Sequence, residues 1–161
     1  MEQYQAALLR YAARVLNNEE AAQDVVQETF IRLHGSMEKI TERGIQLKGW
    51  LFRTAHNAAV DYIRKESRRR SLHERQSRQA DLYADDCRER QFRDERQELV
   101  LQRLNLLKPK EREVLVLRLQ EGMSYKEIAD VLHRSEGYVG TLIYTATRKL
   151  SKSLRQTGVI S

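Results

Sequence analysis

Trp50, Arg53, Asn57, Val60, Arg64 and Arg68 recur at steps of three and four residues, so on a helix they share one face. Cations for a phosphate backbone, an aromatic plane for a base and an amide for base edges are the parts needed to hold single-stranded nucleic acid. Arg64-Lys65 and Arg68-Arg69-Arg70 make one end of that face strongly positive. The preceding stretch, GSMEKITERGIQLKG, carries Gly35, Gly44 and Gly49 as breakers, and it is expected to form a loop that could take an unstacked base.

A second constellation has the opposite sign. Glu20, Asp24, Glu28 and Ile31 fall on one side of the preceding helical segment, opposite Ala22, Val25, Val26, Phe30, Leu33 and Met37. Asp24 and Glu28 are like charges one turn apart, which slightly disfavours an isolated helix. An acidic patch around an exposed isoleucine suits docking on a basic protein partner.

The third is SYKEIADVLHRSEGYVGTLIYTATRKL, from Ser124 to Leu150. Ser124 and Glu127 have capping-box spacing, and Ser135 can cap the next helix. Ile128, Ala129, Leu132, Val139, Leu142, Ile143, Ala146 and Leu150 have the spacing that packs two crossing helices, which predicts a helix-turn-helix. His133 stands where the turn usually has glycine, and histidine tolerates a left-handed backbone better than most residues. The outward face of the second helix is Tyr138, Thr141, Tyr144, Thr145, Arg148 and Lys152. From Gly137 to Thr147 no residue is charged, so this face releases few counterions and should bind DNA weakly on its own.

Residues for catalysis or metal binding are not assembled in this way. His34, His56, His73 and His133 are scattered, with no ligand spacing among them or with Cys87, and no phosphate-cradling glycine loop occurs. An enzyme is not expected, nor a cofactor or metal. A lone cysteine excludes an internal disulfide and favours the cytosol.

The elements that must position these faces are helical. The 161 residues include one proline and seven glycines, and no alternating β-branched run. Tyr4, Ala7, Leu8, Tyr11, Ala12 and Val15 form the first stripe, Asn17-Asn18 separates it from the second helix, and a third helix is expected from about Trp50 to Arg69 with Leu51, Ala55, Ala58, Ala59 and Tyr62 inward. Between Ser71 and Gln97 six arginines and seven acidic residues interleave without a wide apolar face, which predicts a flexible or loosely helical linker. Leu99, Leu101, Leu104 and Leu107 restart the pattern, Pro109 suits a first helical turn, and Gly122 suits a helix end. The helix between them should bury Val114, Leu115, Leu117 and Leu119 or some rotation of these. The expected fold is therefore all-α, with two small helical domains at 1–70 and 98–156 joined by a charged linker at 71–97. No apolar stretch approaches a membrane span. A net charge of +6 fits a polyanionic partner.

The segments AAQDVVQETFIRLH, KGWLFRTAHNAAVDYIRKESRR and LKPKEREVLVLRLQEGMSYKEIADVL, in this order, resemble regions 2 and 4 of bacterial extracytoplasmic-function sigma factors, the two-domain members of the major sigma superfamily. The resemblance implies a promoter-specificity subunit of core RNA polymerase that works in the cytoplasm without a cofactor. An anti-sigma factor is the expected regulator and could hold the protein at the membrane. Asp24, Gln27 and Glu28, with Ile31 beside them, would dock on the clamp helices of the β′ subunit. Trp50, Arg53, Asn57, Asp61 and Arg64, extended by Arg68, would melt the minus-ten element and hold its non-template strand, with the loop from Gly35 to Lys48 capturing a base. The linker would thread the RNA exit channel, and the second domain would bind the minus-thirty-five element and the β flap. One departure stands out: Gly140, Leu142, Thr145 and Thr147 occupy positions where the family commonly has Lys, Arg, Arg and Arg. A helix-turn-helix regulator acting apart from polymerase would share only the second half and has no use for the acidic face.

Overall fold

The computed structural model describes residues 1–76, 99 and 102–158, and among them every regular element is helical. Helix α1 spans Glu2–Leu16 and ends on Asn17 in the left-handed conformation (φ 50°), which asparagine adopts at little cost. Asn18 then caps α2 (Glu19–Glu42), its Oδ1 accepting from the Ala21 N–H at 3.1 Å. Helix α3 runs from Leu47 to Gln76.

Two expected boundaries move. The stretch from Gly35 is not a loop: α2 continues through it to Glu42, and only Arg43–Gln46 separate α2 from α3. The helix formers Met37, Glu38 and Lys39, together with burial of Ile40, outweigh the roughly 1 kcal/mol cost of a mid-helix glycine. The turn falls at Gly44, whose φ of +60° does require glycine-like freedom. Helix α3 also persists past Arg69 to Gln76, so the first residues of the expected linker are helical. The remainder of that linker, and Leu101, lie outside the described residues.

The three helices pack mutually into a bundle. Its core joins Leu8, Tyr11 and Ala12 of α1 to Val25, Val26 and Leu33 of α2 and to Leu51, Phe52, Ala55, Ala58 and Ala59 of α3. The alanines let the helices approach closely, and Tyr11 meets Phe52 edge-on with ring centroids 5.5 Å apart.

In the second half, Pro109 opens α4 (Pro109–Leu115), which continues as a π-helical turn over Val116–Gln120. The wider turn rotates the apolar stripe, burying Val116 and Leu117 together while Leu119, expected inside, is 69% exposed. Gly122 follows at φ +63°. Helix α5 (Tyr125–Leu132) starts with both halves of the capping box, Glu127 N–H to Ser124 Oγ at 3.1 Å and Ser124 N–H to Glu127 Oε2 at 2.7 Å. It ends on His133 at φ 54°. Ser135 caps α6 (Glu136–Gln156) through the Tyr138 N–H. Helix α6 packs on both α4 and α5 through Val139, Ile143 and Ala146, the helix-turn-helix the spacing predicts.

The two halves also touch each other. Helix α1 packs on α4 and its π turn, and α3 packs on α5. Buried apolar residues of both halves form one contiguous cluster.

Candidate protein and nucleic-acid interfaces

On α2, Glu20, Asp24, Gln27, Glu28 and Ile31 all stand exposed, Ile31 by 66%. Of these, Gln27 and Ile31 line a groove of about 840 Å³ between α1 and α2, together with Leu9, Val26, Phe30 and His34 among others, while the three carboxylates lie outside its lining. The sequence offered Ile31 as part of an exposed docking patch, but the groove and the contribution of α1 to it emerge only once the helices are packed. The Glu28 carboxylate accepts from Arg32 Nη2 at 2.5 Å, an exposed pair one helical turn apart. Glu28 is thus partly neutralised, and Asp24 is left as the less compensated charge. Across the bundle, Tyr62 of α3 has its hydroxyl pKa raised by burial first, then by Glu66, Glu20 and Asp24.

On α3, Asn57, Asp61, Arg64 and Arg68 are exposed on one face. Trp50 and Arg53 are half-buried. Trp50 does not stand wholly outward: it lies in the first turn of α3 and packs against the core, which a ring of that size reaches from the bundle's edge. At the margin of the face, Arg53 Nε is buried and makes no hydrogen bond. No loop from Gly35 to Lys48 is present to capture a base. What lies at that end of α3 is the short Arg43–Gln46 turn and Lys48, which donates to the Glu121 carbonyl of the second half at 2.6 Å.

On α6, Thr141, Tyr144, Arg148 and Lys152 are exposed, Tyr144 by 66%, while Tyr138 and Thr145 are half-buried. The Thr141 hydroxyl donates to the Gly137 carbonyl at 3.0 Å. Leu142 packs against the core. Two details escaped the sequence. Arg134 lies over the Tyr138 ring, 5.2 Å from its centroid, and brings a cation to the N-terminal end of the face. Lys149, itself exposed, donates to the buried Glu111 Oε1 at 2.8 Å. Burial opposes ionisation of the Glu111 carboxyl, but Lys149 and the Lys108 N–H outweigh it and hold its pKa below the ordinary 4.5. The adjacent cations near the end of the expected motif, Arg148 and Lys149, are both exposed, but Lys149 is paired with Glu111.

Among the described residues no three His, Cys, Asp or Glu side chains are grouped to hold a metal ion, and no helix is long and apolar enough to cross a membrane.

Comparison with known proteins matches these halves separately. Residues 1–69 fit the family model for Sigma-70 region 2, and residues 97–150 fit that for Sigma-70, region 4. The chain is 33% identical to the RNA polymerase sigma-E factor of Streptomyces avermitilis, over 93% of this chain and 80% of that protein. It is 25% identical to the ECF RNA polymerase sigma factor SigM of Bacillus subtilis, over 98% and 94%. Its fold superimposes on the sigma factor RpoE of Bartonella quintana, solved in complex with the anti-sigma factor NepR, with a TM-score of 0.75 at 22% identity, covering 95% of this chain and 92% of that one. Two family models in the proper order, a shared helical fold and relatives matched over most of their length place this chain among the extracytoplasmic-function RNA polymerase sigma factors.

Proposed function

We propose a division of labour within a sigma factor that directs promoter-specific initiation by core RNA polymerase. Residues 1–70 dock on polymerase and handle the minus-ten element, 71–97 link, and 98–156 read the minus-thirty-five element and meet the β flap. The observation that carries the docking assignment is the largely apolar groove between α1 and α2, lined in part by Gln27 and Ile31, on a helix that also exposes Asp24 and Glu28. An apolar groove with exposed carboxylates on the same helix suits a basic helical partner such as the β′ clamp helices. The outward face of α3, with Asn57, Asp61, Arg64 and Arg68 and the half-buried Trp50 and Arg53, holds the non-template strand at the minus-ten element. The face of α6, with Tyr138, Thr141, Tyr144, Thr145, Arg148 and Lys152, discriminates at the upstream element through contacts of low charge. Docking raises its local concentration at DNA, so weak intrinsic binding suffices.

The protein works in the cytoplasm, where polymerase is. An anti-sigma factor restrains it, as NepR binds RpoE, and could hold it at the membrane. The chemistry of initiation is polymerase's own and needs no cofactor from this chain.

The test is holoenzyme assembly with Asp24→Arg and Glu28→Arg combined. Core binding should collapse while the helical circular dichroism spectrum is kept. Assembly at parental affinity would remove the docking assignment.

A further inference from the structure

The two halves meet through a buried polar cluster drawn from three helices. The Tyr11 hydroxyl of α1 donates to Glu113 Oε1 of α4 in a short hydrogen bond. His56 Nδ1 of α3 lies 2.5 Å from the same oxygen and 3.3 Å from the Tyr11 hydroxyl. Tyr11 is fully buried, and the His56 and Glu113 side chains are 13% and 8% exposed. A carboxylate taken out of water is tolerable only with such partners, and both of its side-chain partners come from the other half of the chain.

Further contacts ring this cluster, and each ties one half to a backbone carbonyl or charge of the other. Arg112 Nη1 donates to the Arg14 carbonyl in the last turn of α1 at 3.1 Å, and Lys48 Nζ to the Glu121 carbonyl just after the π turn at 2.6 Å. Both carbonyls lie at helix ends, where intrahelical partners run out. Arg10 stands 3.9 Å from the Glu121 carboxylate.

We propose that Tyr11, His56 and Glu113 form a latch that holds the sigma factor closed, and that this latch must open before both promoter elements can be engaged together. The inference rests on the sigma reading. Minus-ten and minus-thirty-five elements lie about 25 base pairs apart, roughly 85 Å of duplex at ~3.4 Å per pair. A compact chain of this length has a radius of gyration of only about 15 Å. The closed form does not work by covering the contact faces, since Asp24, Glu28, Arg64, Arg68, Tyr144 and Arg148 are all exposed in it. It works by fixing the distance between them. A closed molecule can therefore present its docking face to polymerase, and opening is a separate, later step.

The experiment uses the full chain with Cys87→Ser, labelled through Glu42→Cys and Gln156→Cys, and counts short- and long-distance populations by single-molecule energy transfer without polymerase or DNA. The parent should be predominantly closed. Glu113→Ala and, separately, Tyr11→Phe, which keeps the ring against Phe52, should each shift the closed-to-open ratio by about ten- to a hundredfold, as expected for losing a hydrogen bond to a charged group. A parent that is already mostly open, or variants whose ratio stays within twofold of the parent, overturns the latch. If Glu113→Ala unfolds by circular dichroism, Tyr11→Phe alone decides.

A second arm closes the molecule covalently, joining Lys48→Cys to Glu121→Cys with a reductant-cleavable bismaleimide in the same Cys87→Ser background. Run-off transcription from a promoter needing both elements should fall at least tenfold and return on reduction. Undiminished transcription by the bridged chain overturns the proposal. Failure of the sigma reading looks different: no transcription before bridging or after cleavage, with the distance populations still responding to Glu113→Ala.

Discussion

The outer face of α3 and the outer face of α6 are both assigned to promoter DNA, yet they are built on opposite electrostatic plans. On α3, Arg64 and Arg68 are exposed, with Lys65, Arg69 and Arg70 alongside, Arg69 being paired with Glu66. On α6, hydroxyls and tyrosine rings occupy most of the face, Arg148 and Lys152 stand only at its C-terminal end, and Lys149 is paired with Glu111. Cations on a phosphate backbone supply affinity that salt erodes, whereas hydroxyl and ring contacts supply selectivity that salt hardly touches. On the proposed assignment, the two ends of one initiation factor need not bind by the same physics, because a third surface, the α2 face with Asp24 and Glu28, would anchor them both.

The largest expected effect tests that anchor. Combined Asp24→Arg and Glu28→Arg should weaken core binding on the order of 100-fold, as reversal of charges facing a complementary partner does. It should do so equally on all promoters. A loss confined to one promoter would make the acidic face a DNA-proximal element instead.

Next come changes that exchange the two plans. Thr145→Arg with Thr147→Arg should steepen the log–log dependence of promoter affinity on salt by about 2, because each new phosphate contact adds roughly one released counterion. Arg64→Ala with Arg68→Ala should flatten it by a similar amount. Between 50 and 200 mM salt a slope change of that size is about a tenfold difference in affinity. Titrating holoenzyme binding against salt distinguishes the cases, and an unchanged slope in both pairs would erase the contrast.

Smaller effects should follow from Tyr144→Ala and Arg148→Ala. Each removes one contact at the upstream element, so promoter use should drop severalfold, about 1 kcal/mol, only where the minus-thirty-five element is required. Unchanged promoter use in both variants would count against DNA reading by α6.

The smallest concerns pH. The Glu111 carboxyl is held below its ordinary value in the folded state, so its contribution to stability is complete above about pH 4.5 and fades as pH falls through the lowered value. Urea midpoints measured from pH 6 to 3 should show this loss, and Lys149→Met should shrink it. A Lys149→Met profile that overlays the parent would detach the recognition helix from this pair.

Much of the fold was legible because its punctuation is local. Asn17, Asn18, Pro109, Gly122, Ser124, His133 and Ser135 each stop or start a helix by a mechanism confined to a few residues. Gly35 misled because a glycine can be either a break or a tolerated cost, and the choice is settled by burial of Ile40 five residues later. The π turn was hidden because one wider turn changes no composition, only phase, which moved Leu119 out and Val116 in. At the candidate sites, helical projection located Asn57, Arg64, Tyr144 and Arg148 on exposed faces. It missed what depends on partners distant in sequence: the Lys149–Glu111 pair, the α1 wall of the groove, and the meeting of Tyr11, His56 and Glu113. Trp50 fell between these cases, since a ring at the edge of a bundle can turn toward either side.

The single apolar cluster shared by both halves has a cost once they part. Surface that lay between α1, α3 and the second half becomes wet, and such surface invites aggregation and proteolysis. An opened molecule adrift from polymerase is thus the form most exposed to degradation. Turnover of this regulator should accordingly rise when polymerase is scarce, so its lifetime would report how much transcription machinery is free to receive it.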